Sequence, residues 1–356
     1  MKKHTLKKLL SLAAAAAMTL PLAACSTGGG SASPSAVPSG SASPSASTAV
    51  SPSAETKNVT IGIIQYAPHP SLDNCTEGTI QGLEAAGYKD SENGVTIDVK
   101  NAQGQAETAD MIAKNMVASK YDLIIGVATP AAMSAYSAAK DSGIPTVFCA
   151  VSDPVAAGLV KTLENPGNGT TGTTDTLNLD GQLKMIRAML PDAKTVGVLY
   201  TTSEPNSVSA LETFKELAPK YDLTVEAVGI TNESEVASGA AALVGKGVDC
   251  VNNFTDNNVV NNLSTLLHAT DAAGIPVFGS EIEQVRNGCV ASESLDYVAL
   301  GVETGNLAVQ VLNGADPSAI PVSVVADSVP VYSQANFDKF GMTLPADYSS
   351  AENVDQ

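Results

Sequence analysis

"YDLIIGVATPAAMSAYSAAKDSGIPTVFCAVSDP", residues 121–154, passes from a strand-like run through a turn into a helix-like run, then through Gly143-Ile144-Pro145 into a second strand-like run. "VDCVNNFTDNNVVNNLSTLLHATDAAGIPVFGSEIE", residues 248–283, repeats that order, with Gly274-Ile275-Pro276 in the equivalent place. Each first strand follows an aspartate (Asp122, Asp249), and each turn carries a threonine six or seven residues on (Thr129, Thr255). Strand, helix and strand in this rhythm make a parallel βαβ unit. Its recurrence predicts two similar α/β lobes.

The alternation extends along the chain. Strands are expected at Val59–Gln65, Val95–Lys100, Leu123–Val127 and Thr146–Ala150, then at Thr195–Tyr200, Thr224–Gly229, Cys250–Phe254 and Val277–Phe278. Helices are expected at Cys75–Ala86, Glu107–Ser119 and Ala131–Asp141. Ligands of open parallel sheets sit outside the carboxyl ends of the strands, and clefts between lobes are favoured pocket sites. The loops that matter are therefore 65–73, 101–105, 128–132 and 151–156 in one lobe. Their counterparts in the other are 201–207, 230–234, 254–259 and 280–284, with 292–297 at a crossing between lobes.

Within these loops the chemistry is that of binding. At Ala128-Thr129-Pro130, Thr129 suits an N-cap and Pro130 a first helical position, where its missing N–H is not needed. The following helix would aim the free amides of Ala131 and Ala132, with its positive dipole end, at a carboxylate; plain capping is the alternative. Asp153 (after Ser152), Asp256 (before Asn257) and Asp296 would suit a ligand ammonium, or else cap helices. Thr202, Ser203 and Asn206 in "YTTSEPNSVS" can donate hydrogen bonds to a ligand or cap the next helix. Gln65, Tyr66 and His69 follow the first strand, where flat rings can pack on a planar ligand.

Catalysis finds no support. The chain has three histidines, and no HExxH, GxSxG, Walker or GxGxxG pattern occurs. No cofactor, metal or enzymatic activity is expected. Cys75, Cys149, Cys250 and Cys289 are widely spaced, and Cys149 and Cys250 lie in apolar runs that suit free buried thiols.

The N-terminus carries an address. Lys2, Lys3, Lys7 and Lys8 precede an apolar run, Leu9 to Leu20, too short for a comfortable membrane span. It ends Leu22-Ala23-Ala24-Cys25, which resembles the lipobox of bacterial lipoproteins, with Cys25 as the lipidated residue and 1–24 as the signal peptide. Residues 25–57, the lipidated Cys and a Ser/Ala/Gly/Pro-rich stretch, read as a disordered tether. The formal net charge is −18 before four lysines leave with the signal, which argues against nucleic acid or anionic lipid as partner.

The stretches "IGIIQYAPHPSLD", "NAQGQ", "GVATPAAMSAY", "AVSDPVAAGLV", "LYTTSEPNS", "FTDNNVV" and "LGVETGNLAVQVLNG" run in order from about 60 to 325. In them the chain resembles ABC-transporter substrate-binding lipoproteins of the type-I periplasmic-binding-protein fold, and within these the tryptophan and tyrosine uptake group. The resemblance implies two Rossmann-like lobes joined by three crossovers: 58–175 plus 296–322, and 178–292 plus 323–345. It implies a monomer, lipid-anchored outside the cytoplasm, that closes on a small zwitterion and hands it to a membrane permease with its ATPase. In such proteins the carboxylate meets helix N-termini and hydroxyls, here Thr129 with Ala131 and Ala132, and the ammonium an acid, here Asp153, Asp256 or Asp296. A nucleoside or another small solute, or signalling to a receptor kinase, are the competing readings.

Overall fold

A computed structural model describes residues 58–325 and 327–356. The expected signal peptide, lipobox cysteine and tether lie outside the described residues.

The strands of the first lobe are β1 (Val59–Gln65), β2 (Val95–Asn101), β3 (Leu123–Val127), β4 (Thr146–Cys149) and β5 (Thr170–Thr174). The second lobe supplies β6 (Thr195–Thr201), β7 (Thr224–Ile230), β8 (Cys250–Asn252) and β9 (Val277–Phe278). After them come β10 (Ala291–Ser294), β11 (Ser323–Val324), β12 (Val329–Tyr332) and β13 (Glu352–Asn353). Three sheets result, in the orders β11-β5-β4-β3-β1-β2, β7-β6-β8-β9 and β10-β12-β13. The first two are parallel throughout, with Ile61 opposite Leu123 and Gln65 opposite Val127 at the centre of the larger one. All five residues of β3 are buried, as a strand covered on both faces requires.

The helices are α1 (Pro70–Ala85), α2 (Ala106–Ala118), α3 (Thr129–Ala139), α4 (Leu179–Met189), α5 (Pro205–Leu217) and α6 (Val236–Gly245). They continue with α7 (Asn257–Asn261), α8 (Leu263–Ala272), α9 (Ile282–Arg286), α10 (Tyr297–Leu312) and α11 (Gln334–Phe340). Separate apolar clusters fill the lobes, one around Ile63, Ile125 and Leu300, and others around Phe214, Phe254 and Leu243. Among the described residues no helix is long and apolar enough to cross a membrane, and Cys75, Cys149, Cys250 and Cys289 are free and buried.

Three local expectations change. Strand β5, Thr-Thr-Gly-Thr-Thr, is fully buried although it carries no apolar side chain beyond its threonine methyls. Its hydroxyls are satisfied inside: Thr170 donates to Thr146 O, Thr171 to Ile320 O, and Thr173 pairs with Thr304. Thr129 is the first helical residue of α3 rather than its cap; Ala128 caps it at φ 75°, ψ 154°, a conformation L residues rarely adopt. The helix can begin this close to its strand because Gly126 has no Cβ, which would lie 2.4 Å from Ala132 Cα. The lobe boundary also moves. Ser323 and Val324 pair with Thr173 and Thr174 in the first sheet, and Glu352–Asn353 pairs with β12 beyond the expected end at 345.

Candidate functional site

The carboxyl ends of β1, β3, β4 and β5 face those of β6, β8 and β9 across a narrow cavity with about 20 Å³ of room for water-sized spheres. The loops after β2 and β7 take no part.

On the first-lobe side the turn at Ala128 delivers Thr129 to the cavity wall. Thr129 and Ala131 precede the first backbone bond of α3, which Ala132 N makes to Ala128 O at 3.0 Å. The amide of Ala132 is therefore spent, contrary to expectation, which leaves the Thr129 hydroxyl and the amides of Thr129 and Ala131 as the donors at this turn. A second left-handed alanine, Ala150 at φ 54°, ends β4 and lines the cavity before Ser152.

The acid that lines this wall is Asp175, directly after β5. Ser152 Oγ donates to Asp175 Oδ1 at 2.9 Å and Tyr297 Oη to Oδ2 at 2.8 Å. Burial pushes its carboxyl from 3.8 up to about 6, although both hydroxyls pull the other way. Glu281, at the end of β9, is raised to about 7 by burial, and its carboxylate caps α9 through the amides of Glu283 and Gln284. Glu204 lies behind the second-lobe wall, where burial and the nearby Asp256 carry it to about 8. The ion pairs described elsewhere are partly exposed surface contacts, such as Lys246 with Glu226 and Lys220 with Asp180. Several buried carboxyls thus surround one small cavity. That arrangement favours a ligand carrying a positive charge.

His69 is 9 % exposed, lines the cavity, and has no hydrogen-bond partner at either ring nitrogen; burial lowers its imidazole to about 4. Ser71 Oγ and Asn206 Oδ1 are likewise buried without partners. Buried polar atoms are ordinarily paired, so these four atoms, drawn from both walls of the cavity, mark places for ligand atoms.

His69, Thr129, Ser152, Asn206 and Asn257 therefore come together as the sequence suggested. Other expected residues are engaged elsewhere. Gln65 donates to Ala67 O and Asp73 and accepts from Thr76. Tyr66 Oη donates to Gly104 O, which holds its ring near the β2 loop. Thr202 donates to Ile230 O, and Ser203 is exposed. Asp256 accepts from Thr201 N, Thr201 Oγ1 and Val259 N; it is a buried brace and cap that does not line the cavity. Asp296 caps α10 at Val298 and Ala299. Asp153 accepts from Ala156 N and from Ser209 Oγ of the opposite lobe. Asp175 escaped sequence reasoning because the polar run before it did not look like a strand. Tyr297 carries no motif of its own, because it follows the α10 cap Asp296 as an ordinary first helical residue.

Residues 60–353 match the family of ABC transporter substrate binding proteins. The chain belongs to that family. Proteins of this kind work outside the cytoplasm, where they bind a small ligand and serve an ABC permease. A tyrosine-binding protein of Clostridioides difficile is 40% identical over 272 residues, covering 76% of this chain and 78% of the relative. A Streptococcus pneumoniae ABC domain in complex with L-Trp superposes with a TM-score of 0.80 at 36% identity, covering 83% of this chain and 99% of the other. A ligand-free, open substrate-binding protein with adhesive properties from Clostridium difficile gives 0.63 at 39% identity, with the same coverage. The better fit to the complex, despite lower identity, means that the lobes stand closer to the ligand-bound arrangement. The hydrogen bonds from Ser209 to Asp153 and from Gln105 to Glu233 join the lobes in that state.

Proposed function

We propose that this substrate-binding protein captures an aromatic L-amino acid, tyrosine or tryptophan, by closure of its lobes. The observation that carries the reading is the cavity's division of labour. The start of α3 offers donors at one part of the wall, and the Asp175 carboxylate, held by Ser152 and Tyr297, stands at another. A zwitterion fits both: its carboxylate at the Thr129 hydroxyl and the amides of Thr129 and Ala131, its ammonium at Asp175. The aromatic group then packs among Leu72, Val260 and Tyr297, with His69 beside it. The tyrosine-binding relative and the L-Trp complex support the ligand class. The chain acts as a monomer, anchored through lipidated Cys25 on a tether and passing its ligand to the permease without transforming it.

The test is calorimetry on the full chain with each common amino acid. Because the sequence contains no tryptophan, bound L-tryptophan also reports through its own emission. Binding of tyrosine or tryptophan with one-to-one stoichiometry is expected. Silence toward every amino acid, beside clear binding of a nucleoside, would overturn the reading.

A further inference from the structure

Asn206 and Asn257 line the second-lobe wall of the cavity, and the same carboxylate holds both. Asn257 Nδ2 donates to Glu204 Oε2 at 2.7 Å and its backbone N–H to the same oxygen at 3.2 Å. Asn206 Nδ2 donates to Glu204 Oε2 and to Thr255 O, each at 3.3 Å. A side-chain amide has two N–H donors and one carbonyl acceptor. With the donors of Asn206 spent on Glu204 and Thr255, its Oδ1 remains buried and unpartnered. Thr255, which shares this wall, stands 3.5 Å from Ser152, the residue that donates to Asp175.

We propose that Glu204 is a positioning residue: it fixes the carboxamides of Asn206 and Asn257 with their NH2 groups turned inward, so that the second lobe offers oxygen to the ligand and selects for a protonated amine. The inference rests on the amino-acid reading above and adds to it the way the second lobe recognises the ammonium. The amine is then met from both lobes, by Asp175 on one and Asn206 Oδ1 on the other. A ligand with the same ring and carboxylate but no amine would leave Asn206 Oδ1 buried and unpaired, and Asp175 buried without a charge partner, on closure, which is strongly unfavourable. Orientation depends on an accepting oxygen more than on charge. Glu204 can take a proton on Oε1, the oxygen without a partner, and still accept at Oε2.

The experiment compares L-tyrosine with 3-(4-hydroxyphenyl)propionate, and L-tryptophan with 3-(indol-3-yl)propionate, by calorimetry on the full chain. Wild type should prefer the amine by about a hundredfold or more. Glu204→Leu, which removes the acceptor, should lose at least about tenfold of that preference. Glu204→Gln, which keeps an oxygen in the same place, should retain it. Asn206→Leu leaves Glu204 intact and should lose the preference as Glu204→Leu does; it decides the matter if Glu204→Leu fails to fold. A wild-type ratio in Glu204→Leu or Asn206→Leu, or an equal loss in Glu204→Gln, overturns the assignment. Failure of wild type to bind either amino acid overturns the functional reading instead, and the assignment with it.

Discussion

Replacing Asp175 with asparagine should make the ligand-free protein more stable and a poorer binder. The native carboxyl is 2 % exposed and raised from 3.8 to about 6 by burial. At 1.36 kcal/mol per unit, holding it ionised at neutral pH costs the fold about 3 kcal/mol. Asparagine removes that cost. It also replaces one accepting oxygen with an NH2 group, so the Tyr297 or Ser152 hydroxyl must reorient, at about 1 kcal/mol. A net gain of roughly 2 kcal/mol remains, which corresponds to a rise of a few degrees in Tm. The sign with pH follows from the raised value. The ionised form is the penalised one, so the gain is full above pH 6 and disappears toward pH 4, where the carboxyl is protonated whether folded or not. Binding moves the other way. Loss of a buried charge partner costs about 2–5 kcal/mol, or roughly 30-fold to several thousandfold in Kd. Thermal unfolding without ligand and calorimetry with L-tyrosine and L-tryptophan read the two effects on one preparation. A variant that binds within threefold of wild type would remove Asp175 from the ammonium site.

Thr129→Val should weaken amino-acid binding about two- to tenfold through loss of one hydroxyl donor, with Tm unmoved; calorimetry showing unchanged affinity would return Thr129 to a purely helical role. Affinity for tyrosine or tryptophan should fall as the pH drops below about 6, where Asp175 takes up its proton, by at most about tenfold per pH unit. Asp175→Asn should show a flatter profile over the same range. Gly301→Ala places a Cβ 2.3 Å from the Cys75 carbonyl, where only backbone movement relieves the clash. It should destabilise the fold by about 1–3 kcal/mol, read as a lower Tm in thermal unfolding.

Sequence periodicity located β1, β3 and β9 to the residue, because each is an apolar run bounded by clear breaks. It could not find β5, whose side chains are polar in composition and whose burial is made possible by partners as distant as Thr304 and Ile320. The site shows the same division. His69, Thr129, Ser152, Asn206 and Asn257 stand at the ends of recognisable strands. Asp175 stands at the end of the strand that was not recognised. Asp153, Asp256 and Asp296 looked like ligand acids because acidic residues before helices cap them and face clefts in the same sequence pattern; three-dimensional contacts separate the two roles. Glu204 is not legible as a partner, since Asn257, its shortest contact, lies 53 residues on in another loop.

The contact between α1 and α10 bears on how a ligand arrives and leaves. Gly78 and Gly82 on one helix oppose Gly301 and Gly305 on the other, close enough that a Cβ at Gly78 would lie 2.1 Å from Val298 O. Ser71 and Leu72 begin the first helix and Tyr297 begins the second, so backbone-to-backbone contact locks the spacing among three cavity residues. This half of the site survives when the lobes part, because none of the locking contacts belongs to the other lobe. A ligand can therefore land on a finished platform. Its arrival rate is set by encounter with one lobe, and its residence time by how long the other stays shut.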